Sequence, residues 1–297
     1  MAEHFVQPPH WEWYIVGYFF CAGLAGGLYV LGTMLRLWGS PRDEGAARVA
    51  FLIAFPLVVV CGILLTIDLG QPLRFWHMMI NTTPGNTGLN FKPWSPISVG
   101  TWGLLVFGLF SFLAFLQSLG RFGRGNTIVE IIGSFFALFL CSYTGVVLSV
   151  SNQPIWSDSW AIGGLFVASA LSGSAALLSL LARSRAGGEW TEPRLQVADG
   201  YFAVLELVMI VIFFVTLSQA GALGKMTSGV WLVLWILVLI SLLPAFRGFV
   251  GGRRLQLAGA GSVVTTGTAT GMGALSAIIV LVGVLLMRYI VIFSAQT

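Results

Sequence analysis

Charged residues are scarce in this 297-residue sequence: Asp, Glu, Lys and Arg together make up 9% of it, whereas 57% of the residues are hydrophobic. A mean hydropathy of +0.90 excludes a water-soluble domain, because a single core cannot hide so much apolar surface. The lipid bilayer must therefore be the solvent. The net charge of +4 comes from arginines in short loops and does not indicate nucleic-acid binding.

Metal-ligating residues are equally few. The three cysteines lie inside apolar runs without close spacing, at Cys21, Cys61 and Cys141. This pattern predicts neither a disulfide framework nor an iron–sulfur or zinc site. Paired histidines on facing helices would be needed for bis-histidine haem, but none of the three histidines, His4, His10 and His77, falls in the middle of an apolar run. No metal and no haem are expected in this protein.

Long apolar runs are the dominant positive feature. Since a spanning helix needs roughly 20 apolar residues, the runs predict eight spans at 13–38, 49–70, 97–119, 127–150, 160–182, 200–221, 230–247 and 262–293. The expected fold is therefore an all-α integral membrane protein of one domain, residues 1–297. Small-residue segments at Ala22–Gly27 and Leu171–Ala176 lie four spans apart, which suggests two four-helix bundles, 1–150 and 151–297.

Arginine placement predicts how the protein is oriented. The loops after the odd-numbered spans contain eleven arginines: Arg36, Arg42, Arg48, Arg121, Arg124, Arg183, Arg185, Arg194, Arg247, Arg253 and Arg254. The opposite side has only Lys92, Lys225 and, near a helix end, Arg74. Because cytoplasmic loops are enriched in Lys and Arg, both termini are expected outside, in the periplasm if this is the cytoplasmic membrane of a prokaryote.

Two loops expected on the outer side are unlike simple connectors. One runs from Asp68 through Arg74 to His77, and the other follows Tyr143, about two turns before the end of span four. Tryptophans at this depth can belong to the aromatic belt of any membrane protein. An acid, an arginine and a histidine in one loop are harder to explain as a belt, and Tyr143 is expected at a similar depth.

Ionisable residues within the spans are costly and thus informative. By residue count, Asp68 and Arg288 both fall toward the outer side, where an ion pair between them would either serve function or fix helix register. Glu206 and Glu130 lie nearer the arginine-rich side. Together with Asp68 they form an incomplete ladder for protons, unless nearby arginines merely neutralise them.

Three segments resemble the NrfD-like membrane subunits of polysulfide reductase and related complexes. They are Trp11–Trp13 leading into Ala22–Gly27, the run Asp68–Trp76 with the pattern Asp-Leu-Gly-x-Pro-x-Arg-Phe, and Tyr143–Gly145. The resemblance covers essentially the whole sequence. It implies a quinone-reactive subunit, using menaquinone or ubiquinone, that has no redox cofactor of its own.

The resemblance also implies partners and a site. A ferredoxin-like iron–sulfur subunit would dock on the outer face and connect to a molybdopterin catalytic subunit or a multihaem cytochrome. Quinone sites of the family lie among the outer ends of the first four spans. By position these correspond here to Tyr143, Asp68, His77 and Arg74, together with His10, Glu12 or Tyr14 as alternatives.

The sequence therefore predicts a membrane subunit that exchanges electrons between quinone and a docked iron–sulfur protein. Two-electron quinone chemistry also moves two protons, so Asp68 and Tyr143 are the expected catalytic residues, with Asp68 modulated by Arg74 or Arg288. The expected proton path comprises Asp68, Arg288, Glu206 and Glu130. A secondary transporter and a passive anchor for a redox complex are the alternatives. The polar groups gather at one surface instead of the midplane, which favours the redox interpretation.

Overall fold

The computed structural model of the protein describes residues 9–120, 125–182, 188–246 and 269–296. Within these ranges the helices are α1 Trp13–Trp38, α2 Glu44–Asp68, α3 Pro96–Ser118, α4 Thr127–Ser149, α5 Ile162–Ala182, α6 Gly188–Gln219, α7 Leu223–Met226, α8 Gly229–Ser241 and α9 Ala269–Phe293. Short 3-10 helices cover Pro41–Asp43 and Pro72–Met78, and strands β1 Ile80–Thr83 and β2 Asn86–Leu89 form one hairpin.

Eight helical segments, which include every helix except the four-residue α7, are long and apolar enough to cross a membrane; the one that contains α8 extends over Gly229–Phe246. The prediction of an eight-span, all-helical membrane protein is confirmed. Boundaries differ in places: α2 begins at Glu44 instead of residue 49, and α6 begins at Gly188 instead of residue 200. The first part of the eighth expected span, 262–268, lies outside the described residues.

The early start of α6 has a specific cause. Polar residues of its first turns suggest a loop by composition, but they meet the buried carboxylate of Asp43. Thr191 donates a hydrogen bond to Asp43 at 2.8 Å, and Arg194 forms an ion pair with the same carboxylate. Ser40 donates to it through both its backbone N–H and its hydroxyl. A buried charge needs such partners, so the polar residues are held in helical geometry against the connection between α1 and α2.

Helix α1 lies at the centre of the bundle and contacts α2, α4, α5 and α9. Its glycines allow these approaches. A Cβ on Gly26 would lie 2.8 Å from the Ala137 carbonyl of α4, and one on Gly27 would lie 2.6 Å from the Ala170 carbonyl of α5. Small residues at such positions let helix backbones approach closely, which is the main source of association where lipid replaces water.

The start of α1 and the end of α9 lie at the same end of the bundle. The Trp11 N–H donates to the Gln296 side-chain oxygen at 3.0 Å, and the Trp156 indole donates to the Val291 carbonyl at 2.6 Å. We call this end the outer face, following the sequence prediction. That it faces the periplasm stays a prediction.

The connection from α2 to α3 contains structure that the sequence did not predict. Strands β1 and β2 pair antiparallel, with Ile80 opposite Leu89 and Thr83 opposite Asn86. Pro84 and Gly85 form the two-residue turn, and Gly85 adopts a positive φ of 84°. Proline followed by glycine suits such a turn, because glycine reaches positive φ without steric cost. The hairpin projects from the outer face next to the 3-10 helix Pro72–Met78.

Substitution of Gly27 by alanine tests the central role of α1. The added methyl group would overlap the Ala170 carbonyl and the Ser174 side chain, so we expect a loss of about 1–3 kcal/mol of stability. Gly62→Ala on α2 is the matched control, since a Cβ there meets nothing within 4 Å. Thermal unfolding in detergent measures both variants. Equal unfolding temperatures for the two would contradict this packing.

Candidate functional site

Tyr143 lies half-buried near the outer end of α4. Its ring stacks on Phe139 at a centroid distance of 5.8 Å, and its hydroxyl donates a 2.7 Å hydrogen bond to the Pro96 carbonyl in the first turn of α3. Gly100 of α3 makes room for the ring, since any Cβ at that position would overlap it. Tyr143 is therefore fixed between α3 and α4 with its phenol at the outer rim.

Asp68 is the last residue of α2 and is exposed at the same rim. Its carboxylate interacts electrostatically with Glu12, which precedes the first turn of α1. Two like charges that interact in this way repel each other. The outer ends of α1 and α2 thus bring together two carboxyl groups that the sequence separates by more than fifty residues.

The loop residues Arg74 and His77 belong to the 3-10 helix Pro72–Met78. The His77 ring stacks on Trp76 at 3.8 Å, and its backbone carbonyl accepts a hydrogen bond from the Asn90 side chain. Arg74 is exposed and forms no ion pair with any described residue. His77, Tyr143 and Asp68 all lie at the outer end, but no hydrogen bond joins His77 to Tyr143 or Asp68.

His10, Glu12 and Tyr14 are all exposed at the start of α1. Among them, Glu12 interacts electrostatically with another predicted site residue, Asp68. Their neighbour Trp11 packs inward, with its ring 4.9 Å from that of Trp156. Of the three alternatives, Glu12 is thus the one for which the structure gives an interaction with the proposed site.

Arg288 does not form the ion pair with Asp68 that the sequence suggested. Its guanidinium is buried in the second half of the bundle and donates to the backbone carbonyls of Phe19, Val284 and Phe166, at 3.2, 3.2 and 3.4 Å. It also lies 5.1 Å above the Phe166 ring. Residue counting placed both groups at similar depth, but it could not show that Asp68 is exposed at the rim while Arg288 points into the contact of α1 with α5 and α9.

Glu206 is the acid associated with Arg288. It is 1% exposed on α6, it interacts electrostatically with Arg288, and its Oε2 atom has no hydrogen-bond partner among the described residues. Two turns further toward the inner side, Asp199 accepts a 2.8 Å hydrogen bond from Ser172 of α5. Asp199 and Glu206 also interact electrostatically. The second half therefore contains a line of buried ionisable groups.

Glu130 lies elsewhere, at the inner end of α4. Its carboxylate pairs with Arg36 of α1 at 2.5 Å, and Arg36 also pairs with the exposed Glu44 of α2 at 2.8 Å. No hydrogen bond or ion pair joins Glu130 to Glu206. Glu130 thus connects the inner ends of α1, α2 and α4, as the neutralised-carboxylate interpretation expects.

No group of three or more His, Cys, Asp or Glu side chains among the described residues has the arrangement to hold a metal ion. Sequence reasoning missed two residues that shape the sites. Gly100 accommodates Tyr143, and Ser172 binds Asp199. The sequence does contain a signal for Gly100, because it is a glycine one turn after the proline that starts a helix. Nothing in the sequence pairs Ser172 with Asp199.

The fold and these groups define a multi-pass helical membrane protein with polar side chains at one rim and a buried ionisable line in its second half. The sequence profile of the family described as polysulfide reductase, NrfD-like, matches residues 5–297. The protein belongs to this family, and the resemblance noted from the sequence is confirmed.

Curated relatives agree with this assignment. A polysulfide reductase chain of Wolinella succinogenes is 26% identical over 97% of this sequence and 94% of its own length. Protein NrfD of Escherichia coli is 25% identical over 73% of this sequence and 74% of its own length. A tetrathionate reductase subunit of Salmonella typhimurium is 31% identical over 60% of this sequence and 51% of its own length.

The inner ion pairs allow a test within one network. Glu130→Gln leaves Arg36 largely buried without its close partner, so we expect a loss of about 3–5 kcal/mol. Glu44→Gln removes the other partner of the same arginine, but that side chain is 56% exposed and should cost about 0–1 kcal/mol. Thermal unfolding in detergent compares the two variants. A larger loss for Glu44→Gln would show that Arg36 depends on the exposed pair instead.

Proposed function

We propose that this protein is the membrane subunit of a respiratory oxidoreductase complex. It binds a quinone, menaquinone or ubiquinone, near the outer face among α1 to α4, and it exchanges electrons with a docked ferredoxin-like iron–sulfur subunit. The observation that carries the proposal is the Tyr143 phenol, fixed against α3 at the same rim as Asp68, in a member of the polysulfide reductase family. Relatives are named as chains or subunits of reductases, which supports the presence of partner subunits. The partner that we propose is a molybdopterin catalytic subunit or a multihaem cytochrome.

The residues at the outer rim suit a quinone head group. Such a group has an apolar ring and two carbonyl oxygens, and Tyr143 offers a phenol beside the aromatic ring of Phe139. The phenol oxygen can accept a hydrogen bond while its proton goes to Pro96, or it can redirect that proton to a ligand oxygen. When bound, the quinone supplies the two-electron redox chemistry; the protein supplies binding, orientation and proton exchange.

Asp68 is the proposed proton-exchanging group. Its exposure lets protons exchange with water at the outer face, and the carboxylate of Glu12 acts on it electrostatically. Arg74 and His77 belong to the 3-10 helix that follows Asp68, where Arg74 is exposed and the His77 ring stacks on Trp76. Among His10, Glu12 and Tyr14, the interaction with Asp68 favours Glu12.

The outer loop also suits the docking of a redox partner. The connection between α2 and α3 presents several exposed apolar side chains, among them Leu73 of the 3-10 helix, Leu89 of the hairpin and Trp94 just before α3, the first of them 91% exposed. Exposed apolar groups next to charged ones are typical of protein interfaces. A partner seated here would place its cluster close to the proposed head-group position.

Proton translocation is the second part of the proposal. Glu206 and Arg288 are buried in the second half of the bundle, and a carboxyl oxygen without a partner among the described residues can take up or release a proton. Glu130 would join this path only through water, since Arg36 holds its carboxylate at the inner end. Protons taken up from the inner side would make turnover electrogenic.

Substitution of the rim residues tests quinone chemistry directly. In the assembled complex, Tyr143→Phe should lower quinone-linked electron transfer about tenfold through a lost hydrogen bond. Asp68→Asn should lower it about a hundredfold through a lost proton-transfer group. Electron transfer from a soluble donor to the partner subunits, without quinone, is the control that must stay unchanged. Wild-type quinone rates in both variants would exclude this site.

A paired glycine substitution isolates the position of Tyr143 from its chemistry. Gly100→Ala would displace the Tyr143 ring while leaving the phenol present. Gly108→Ala, two turns along the same helix, adds the same methyl group at ordinary contact distance, 3.5 Å from Val58. We expect quinone-linked transfer to fall only in Gly100→Ala. Equal rates would mean that the position of this ring is irrelevant.

Glu206→Gln tests the proton path. In proteoliposomes we expect charge movement per electron to fall, because the amide cannot exchange a proton, while quinone binding stays intact. Glu44→Gln provides the control, since it removes an exposed inner carboxyl that lies outside the proposed path. Normal charge movement in Glu206→Gln would remove this residue from the path.

The buried charges also fit a secondary transporter, which uses such groups to bind solute and coupling ion. Purification from native membranes separates the two functions. Iron–sulfur and catalytic subunits that co-purify with quinone support the redox complex, whereas a lone polypeptide with saturable solute uptake supports transport. Partners without quinone activity would support a passive anchor.

A further inference from the structure

The connection between α4 and α5 folds into the outer end of the bundle. Ile155 and Trp156 are successive residues of this connection, yet each is only 1% exposed. The Trp156 indole donates a 2.6 Å hydrogen bond to the Val291 carbonyl of α9. The Ser159 hydroxyl shares a 2.7 Å hydrogen bond with the hydroxyl of Thr216 on α6. The connection therefore joins the outer ends of α6 and α9 through buried contacts.

The backbone of Ile155 is left-handed, with a φ of 75°. A β-branched residue rarely adopts this conformation, which costs about 1–3 kcal/mol. The Asp158 carboxylate accepts a 2.9 Å hydrogen bond from the Ile155 N–H and so stabilises the turn. Strain of this kind persists only where the surrounding contacts impose it, and it is found most often at functional positions. Here the turn lets two consecutive bulky side chains, Ile155 and Trp156, both point into the protein.

Trp156 belongs to a series of four aromatic rings that contact one another. Its ring lies 4.9 Å from that of Trp11, and the Trp11 ring lies 6.2 Å from that of Phe19 on α1. The Phe19 ring in turn lies 5.9 Å from that of Phe166 on α5. Trp11 is half-buried, and the other three side chains are fully buried. We call these four rings the aromatic plug.

The aromatic plug lies on the outer side of Arg288. Helices α1 and α5 both run inward from the outer face, so their backbone carbonyls point inward and their side chains lean outward. Arg288 donates to the carbonyls of Phe19 and Phe166, and its guanidinium therefore lies on the inner side of both residues. The guanidinium also lies 5.1 Å from the centre of the Phe166 ring. The plug thus stands between the outer face and the buried line formed by Arg288, Glu206 and Asp199.

We infer that the aromatic plug is an outer seal, which prevents protons on the buried line from exchanging with water at the outer face. Apolar constrictions exclude water, and a proton cannot cross a dry apolar layer by hopping between water molecules. Asp199, at the opposite end of the line, is the member nearest the inner side. The inference rests on the proton-translocation part of the proposed function and adds a feature which that part requires. A protein that takes up protons from one side must not leak them to the other.

Trp156→Ala tests the seal in proteoliposomes of the full complex, without quinone or an electron donor. A potassium diffusion potential set by valinomycin drives protons inward, and pyranine trapped in the vesicles reports the internal pH. Loss of the indole opens a path for water to Arg288, so we expect proton entry to rise about tenfold over the wild type. Trp160→Ala is the matched control, because this residue of the same connection is 71% exposed and lies outside the plug. Its proton entry should equal that of the wild type.

The addition of Glu206→Gln to Trp156→Ala shows whether the leak follows the buried line. Because an amide cannot exchange a proton, proton entry should return to the wild-type level. If Trp156→Ala does not assemble, Trp156→Phe supplies the test. It keeps a ring in the plug but loses the hydrogen bond to Val291, and proton entry should rise about two- to threefold.

Two results would overturn the seal. Wild-type proton entry in the Trp156 variant would do so while the proposed function stands, provided that Glu206→Gln alone lowers charge movement per electron. A leak that persists after Glu206→Gln is added would show that the plug does not close the buried line. If Glu206→Gln alone also leaves charge movement normal, the proposed proton path fails and the seal fails with it.

Discussion

Close packing of α1 against four other helices is the constraint on which the rest of the structure depends. In a bilayer, apolar side chains gain little from leaving lipid, so helices associate through van der Waals contact and satisfied polar groups. Glycines of α1 bring its backbone within contact of the carbonyls of Ala137 and Ala170. A larger residue at Gly26 or Gly27 would push α1 away from α4 and α5, and the two halves of the protein would then also be pushed apart.

The same packing decides where charge can be buried. A Cβ on Gly23 would lie 2.6 Å from the Arg288 guanidinium, so the missing side chain is the space that this group occupies. Three backbone carbonyls accept hydrogen bonds from the guanidinium, and Glu206 supplies the opposing charge. Arg288 also interacts with Cys141, whose thiol donates to the Gly23 carbonyl at 3.6 Å. Gly23 thus contacts both the Arg288 guanidinium and the Cys141 thiol of α4.

Hydropathy alone predicted the eight spans, because twenty apolar residues have few alternatives to a spanning helix. It failed at α6, where polar residues are helical through contact with Asp43, a residue almost 150 positions away. The hairpin after α2 was missed for a similar reason, since four-residue strands have no usable period. Of the candidate site, the sequence identified Asp68 and Tyr143 by type and depth. It could not identify Ser172, because nothing in the sequence pairs this serine with Asp199, and only the fold brings their side chains within 2.8 Å.

The inner face shows how orientation and proton access are related. Arg36 and Arg194 are among the arginines that predict the inner side of the membrane. Arg36 is paired with the buried carboxylate of Glu130, and Arg194 with that of Asp43. These pairings do not change the predicted orientation of the protein in the membrane, because it depends on the number of arginines and not on net charge. Because both carboxylates are already paired with an arginine, protonation of either acid would break an ion pair. Asp199 has a serine as its hydrogen-bond partner instead, and it leads to Glu206 along one helix. If protons cross this protein, the route therefore begins at α6 and not at the arginine-paired acids.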